Sequence, residues 1–77
     1  MSYNSFPSRI EVAGIRNRYP AGTRVELISL DDPYNRKLAP GDKGTVAFVD
    51  DIGTVHINWD SGSQLGIVLG VDCIKKL

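Results

Sequence analysis

The stretch TVHINWDSG at residues 54–62 decides the fold. Apolar and polar residues alternate through its first six positions, which is the period of a half-buried β-strand. Val55, Ile57 and Trp59 therefore face a core, while His56 lies on the outward face. The DSG that follows predicts a tight hairpin in which Gly62 supplies a positive φ.

Outward from this hairpin, similar patterns predict four more strands, at residues 23–30, 44–50, 63–68 and 73–77. A thirteen-residue connector at 31–43 follows the first strand, and a single tight turn at 69–72 precedes the last. Closure into a barrel would remove the exposed edges of so small a sheet. The sequence thus predicts a mainly all-β fold, a small five-stranded SH3-like barrel. The residues that share the inward phase are Val25, Leu27, Val46, Phe48, Val55, Ile57, Leu65, Ile67 and Ile74.

A short helix is predicted before the barrel, at residues 9–18. Ser8 and Glu11 have the spacing of a capping box, and the Tyr19-Pro20 pair ends the helix. Ile10, Ala13 and Gly14 fall on one face of this helix, with Ile15 beside it. The predicted domain organisation is a tail at 1–8, the helix at 9–18 and the barrel at 19–77.

Composition narrows the classes of function. The chain has 77 residues with nine basic and nine acidic side chains, so it lacks the cationic excess of a tight nonspecific nucleic-acid binder. Its one cysteine, Cys73, cannot form an intrachain disulfide, and we expect it to be a small core hydrophobe in a cytoplasmic protein. The sequence shows neither a signal peptide nor a membrane-spanning run, and no membrane association is expected.

Three stretches carry a resemblance to known domains: GTRV at 22–25, GDKGTV at 41–46 and VHINWDSGS at 55–63. They resemble the Mind bomb/Herc2-type SH3-like domain. From residue 19 to residue 72 the chain is more similar to a small bacterial domain family of unknown function, common in Gram-positive genomes and their phages. The resemblance implies a phage or mobile-element origin and does not indicate an activity.

The long connector is the expected partner surface. A loop of this length in a compact domain is commonly functional, and this one combines an aromatic residue with both signs of charge. An alternative for Trp59, which the alternation favours, is a half-buried core residue with its indole N–H at the rim. The predicted partner-binding residues are Tyr34, Asp31, Asp32, Arg36, Lys37 and Trp59.

A second candidate surface is a basic patch that could bind phosphate. Its members would be Arg9, Arg16, Arg18 and Arg24. The favoured alternative is that these arginines form an ordinary solvated face. His56 has no Cys or second His at ligand spacing and is expected to be a solvated strand residue. The adjacent aspartates at 31–32 and 50–51 are expected to be ordinary turn residues, with nothing to shift a pKa.

No nucleophile–base arrangement, metal-ligand set or phosphate-binding glycine loop is present in the sequence, so neither enzymatic activity nor a cofactor is expected. The leading hypothesis is a non-enzymatic protein-binding module with a protein partner. One alternative is a phage-encoded inhibitor of a host protein, such as an anti-defence factor. The other is a nucleic-acid-associated barrel that uses the arginine patch.

Overall fold

One helix and five strands form the fold in residues 7–32 and 38–77, the part of the chain that this computed structural model describes. The helix occupies the residues that the capping pattern predicted, and the strands lie within a residue or two of their predicted bounds except for β4, which is shorter. The elements are α1 (Arg9–Arg18), β1 (Arg24–Ser29), β2 (Lys43–Val49), β3 (Val55–Trp59), β4 (Gly66–Ile67) and β5 (Cys73–Lys76).

The strands pair antiparallel in one sheet of order β4-β3-β2-β1-β5. The mainly β fold with five strands and one short helix is therefore confirmed. The sheet is open, with the two-residue β4 and the four-residue β5 as its edges. Within the described residues, no helix has the length and apolar character needed to cross a membrane.

The core lies on the inner face of the sheet, and most of its predicted members are buried there. Leu65 is half-buried and packs against this cluster, while Leu38 and Val49 join it. Trp59 is also buried, and its indole N–H donates to the carbonyl of Leu65 at 2.9 Å. The predicted core residues that are buried are Val25, Leu27, Val46, Val55, Ile57, Ile67 and Ile74.

Phe48 is the predicted core residue that the structure places on the opposite face, where 55% of it is exposed. The cause is a β-bulge: Val46 pairs with Ile57, but Phe48 pairs with the adjacent His56. One extra residue on β2 moves the side chains that follow it to the opposite face of the sheet. Val49 therefore takes the inward position that alternation had assigned to Phe48.

The helix begins as its sequence predicts. Ser8 Oγ accepts from the Glu11 N–H, and a Glu11 carboxylate oxygen accepts from the Ser8 N–H, which completes the capping box. The face that carries Ile10 is not the buried one, because Ile10 is 85% exposed and Val12 is the buried residue.

Gly53 explains which side of the helix is buried. This turn glycine has φ +84°, and a Cβ built there would lie 3.1 Å from Ile15 Cδ1, 3.2 Å from Pro7 Cγ and 3.7 Å from Val12 Cγ2. The helix therefore docks on bare backbone at the β2–β3 turn, in the space that a side chain would fill.

Cys73 also departs from expectation, since it is exposed and does not lie in the core. Cys73 pairs with Ser29, and the register of the β1–β5 ladder shifts between this pair and the neighbouring pair of Leu27 and Ile74. Alternation along β5 points Cys73 outward when Ile74 points inward, and Ile74 is the buried residue of this strand.

We predict that the two faces of the sheet respond oppositely to truncation. Leu27→Ala should lower the free energy of unfolding by about 2–5 kcal/mol, because Leu27 is fully buried. Phe48→Ala should cost less than about 1 kcal/mol, as exposed positions do. Urea unfolding followed by circular dichroism measures both values, and an equal loss in the two variants would contradict the placement of the bulge.

Candidate partner-binding surface

The predicted loop surface lies only partly within the described residues. Tyr34, Arg36 and Lys37 fall outside them. Asp31 is exposed and Asp32 half-buried at the start of the connector. The loop hypothesis stays a prediction at these positions.

Trp59 does not belong to an exposed surface. Only 3% of it is accessible, and its indole N–H is already bonded within the domain. The interpretation of Trp59 as a ligand platform is therefore replaced by the core role that the alternation also favoured.

The start of the connector is fixed to the turn before β5 by Asp72. Its carboxylate accepts from the Asp31 N–H at 2.8 Å and from the Val68 N–H at 3.0 Å. Asp72 is almost fully buried, so these two bonds satisfy a carboxylate that would otherwise be costly to bury. Asp72 was not among the residues predicted to be functional, although its place in a tight turn was the available signal.

The four arginines of the predicted basic patch lie in three separate places. Arg24 makes a bidentate pair with Asp60, at 2.7 Å for both bonds, which lowers the pKa of the Asp60 carboxyl. Arg18 lies over the ring of Tyr19, with the guanidinium carbon 5.7 Å from the centroid. Only Arg9 and Arg16 share a surface feature.

That feature is a groove of about 460 Å³ between α1 and the β2–β3 turn, lined by Pro7, Arg9, Val12, Arg16 and Asp51. We call it the arginine groove. Arg16 is fixed in it, because Nε donates to the Val49 carbonyl at 3.1 Å and Nη2 to Asp51 at 2.8 Å. No hydrogen bond or ion pair to another described residue holds the guanidinium of Arg9.

The outer face of the sheet carries a stacked pair of aromatic rings. Phe48 and His56 are cross-strand neighbours on β2 and β3, with ring centroids 4.4 Å apart and ring planes 10° apart. The stack covers one face of the imidazole and leaves about half of the Phe48 residue in solvent. An exposed phenylalanine held in this way is a fixed apolar projection.

Asp50 fixes the imidazole at its edge. Its Oδ2 lies 2.8 Å from His56 Nε2, and its Oδ1 accepts from the N–H groups of Ile52 and Thr54. The bond to His56 is the main cause that lowers the pKa of the Asp50 carboxyl; partial burial opposes this, and the two backbone bonds reinforce it. Because the ionised carboxylate only accepts, Nε2 of a neutral His56 carries the hydrogen and Nδ1 presents a lone pair. Two expectations are thus corrected, since His56 is not a free strand residue and Asp50 is not an ordinary turn aspartate.

Gly66 leaves the Nδ1 side of His56 open. It is the cross-strand partner of His56 on β4, and a Cβ built there would lie 3.6 Å from Nδ1 and 2.8 Å from Thr54 Cγ2. We call Phe48, His56 and Gly66 the aromatic patch. It combines an apolar ring with a hydrogen-bond acceptor beside bare backbone.

The described residues contain no group of three or more His, Cys, Asp or Glu arranged to hold a metal ion. Asp50 and His56 form a pair without a nucleophilic hydroxyl or thiol bonded to the imidazole among the described contacts.

We predict that Asp50→Asn destabilises the domain by about 1–2 kcal/mol at pH 7, since it removes a charged acceptor of three hydrogen bonds. A lowered pKa means that this stabilisation is present above about pH 4 and is lost as the pH falls through the pKa of the folded state. In urea unfolding, the difference in the free energy of unfolding between wild type and Asp50→Asn should therefore be smaller at about pH 2.5 than at pH 7. Asp51→Asn is the matched control and should show a smaller effect at pH 7, because Asp51 is fully exposed. A difference in the free energy of unfolding that stays constant with pH would contradict the role given to the Asp50 carboxylate.

Comparison with known proteins places the chain in a family without assigning it an activity. Neither a search of curated proteins nor a search of solved structures finds a match. Residues 8–77, which include the helix cap and all five strands, match the family described as Domain of unknown function (DUF4314). The chain therefore belongs to this family.

Proposed function

We propose that the domain is a non-enzymatic protein-binding module that holds its partner at the aromatic patch. The single observation that supports this best is the exposed ring of Phe48, fixed against His56 at 4.4 Å between centroids. Fixed aromatic side chains are typical of the few residues that contribute most of the affinity at protein interfaces.

The exposed part of Phe48 is large enough to matter for binding. A phenylalanine buries about 150–250 Å² when fully covered, so covering its exposed half removes roughly 100 Å² of apolar surface from water. At about 25 cal/mol per Å² this contributes roughly 2–3 kcal/mol, or about 30- to 150-fold in affinity.

Preorganisation makes this contribution more effective. The stack on His56, which Asp50 holds in turn, already restricts the ring of Phe48. A side chain that is immobile before binding loses little conformational entropy when a partner covers it. The partner that fits places an apolar side chain against Phe48 and an N–H donor near Nδ1 of His56.

Capture of a partner on matched baits tests the proposal. The baits are wild type, Phe48→Ser and Val71→Ser, and the lysate is from a Gram-positive bacterium, the host class that the sequence resemblance implies. Val71 is the control because it is exposed to the same extent as Phe48, at 55%, but lies in the turn before β5. Calorimetry with the purified partner then gives each Kd.

We expect one protein to be retained by wild type and by Val71→Ser, and its Kd to rise at least about 30-fold for Phe48→Ser. All three baits should unfold at similar temperatures, because both substituted residues are exposed. Equal Kd values for wild type and Phe48→Ser, or a wild-type bait that retains no specific protein, would contradict the proposal.

A further inference from the structure

The arginine groove is a second polar surface, and the aromatic patch does not explain it. Its volume of about 460 Å³ is within the range of small-ligand sites, about 300–1,000 Å³. Val12, which is buried, and Pro7 supply its apolar surface, and Arg9 and Arg16 supply two positive charges. A surface of this kind suits an occupant that combines carboxylates with an aliphatic group.

The two arginines differ in how their charge is balanced. Arg16 pairs with Asp51, as Arg24 does with Asp60 elsewhere in the domain. Arg9 has no such partner among the described residues. Glu11, two positions along the helix, is engaged by the Ser8 N–H in the capping box. Arg9, Arg16 and Asp51 together leave the groove with a net charge of +1.

Arg9 is also poorly placed for the stability of the helix. It is the first residue of α1, where the helix dipole disfavours a positive charge. Ser8 and Glu11 already cap this end of the helix. The guanidinium of Arg9 therefore contributes nothing evident to the fold, whereas it lines a groove that faces solvent.

The spacing of the arginines fits an extended peptide. Seven helical positions separate Arg9 from Arg16, a rise of about 10 Å along the axis, and two turns of helix bring both to nearly the same side. In an extended chain the side chains at positions i, i+2 and i+4 share one face, and the outer two lie about 13 Å apart, a distance that long arginine and glutamate side chains can bridge. Val12 lies between the two arginines on the helix.

We propose that the arginine groove binds an acidic segment of a partner protein, in which carboxylates flank an aliphatic residue. The first carboxylate pairs with Arg9, the aliphatic side chain covers Pro7 and Val12, and the second carboxylate competes with Asp51 for Arg16. The proposal rests on charge complementarity at this groove and holds whether or not Phe48 contacts a partner.

Two substitutions separate a binding role from a structural one. Arg9→Gln removes the unpaired charge, so it should weaken binding without destabilising the helix. Asp51→Asn removes the internal competitor of Arg16, so it should strengthen binding. If the salt bridge between Arg16 and Asp51 were only structural, its loss would not raise the affinity for the peptide. Arg18→Gln is the matched control, since Arg18 lies on the same helix but over Tyr19 and outside the groove.

The probes are the blocked peptides acetyl-Glu-Glu-Leu-Glu-Glu-amide and acetyl-Gln-Gln-Leu-Gln-Gln-amide, inorganic phosphate, and a single-stranded DNA oligonucleotide. Titration of ¹⁵N-labelled domain, followed by NMR, gives the Kd and the residues whose shifts change. Thermal unfolding of every variant confirms that each one is folded.

We expect the acidic peptide alone to bind in the millimolar to high micromolar range, with shift changes centred on Arg9, Val12 and Arg16. Its Kd should rise at least about fivefold for Arg9→Gln, fall at least about threefold for Asp51→Asn and stay unchanged for Arg18→Gln. Equal weakening by Arg18→Gln, equal affinity for the glutamine peptide, or preferential binding of phosphate or the oligonucleotide would overturn the proposal. None of these outcomes bears on the proposal for the aromatic patch, because neither Phe48 nor His56 is altered in the variants.

Discussion

The carboxylate of Asp50 is the group on which the surface architecture of this domain depends. It accepts from two backbone N–H groups of the turn that follows it and from the imidazole of His56, six residues along the chain. One side chain thereby closes the β2–β3 turn and fixes a ring on β3. The carboxyl is ionised at neutral pH, and because this form accepts all three bonds, they lower its pKa, the bond to His56 most of all.

Both candidate surfaces follow from the closed turn. On the outer face, the fixed imidazole supports the ring of Phe48, which the bulge has already moved out of the core. On the side of the helix, Gly53 receives Pro7 and Ile15, while Asp51 reaches Arg16. The turn therefore couples the two surfaces, since a change that opens it would displace both the aromatic stack and the helix.

Much of the fold could be predicted from the sequence because most of the structure is locally encoded. Alternation in a regular strand fixes which side chains face inward, and it placed Val25 and Ile57 correctly in the core. The helix was equally accessible, since its cap is a contact between Ser8 and Glu11, three residues apart. The family match at residues 8–77 is longer than the resemblance at 19–72, since it also includes the helix, and it names no activity.

The candidate site could not be predicted in the same way, because it depends on pairing across strands. Phe48 was assigned to the core, since alternation within β2 cannot reveal the bulge that its pairing with β3 creates. The run of apolar residues from Val46 to Val49 was the one available signal, because it leaves the inward phase ambiguous. The bond between Asp50 and His56 was missed for a similar reason, since the two residues meet only when the hairpin closes.

The most direct test of this account is an NMR measurement of contacts between the rings of Phe48 and His56 at neutral pH. With centroids 4.4 Å apart, nuclear Overhauser cross-peaks should connect the ring protons of the two residues in the wild-type domain. In a folded Asp50→Ala variant these cross-peaks should weaken strongly, because the imidazole has lost the carboxylate that holds it. Absence of the cross-peaks in wild type, or equal intensity in the variant, would contradict the claim that Asp50 organises the aromatic patch.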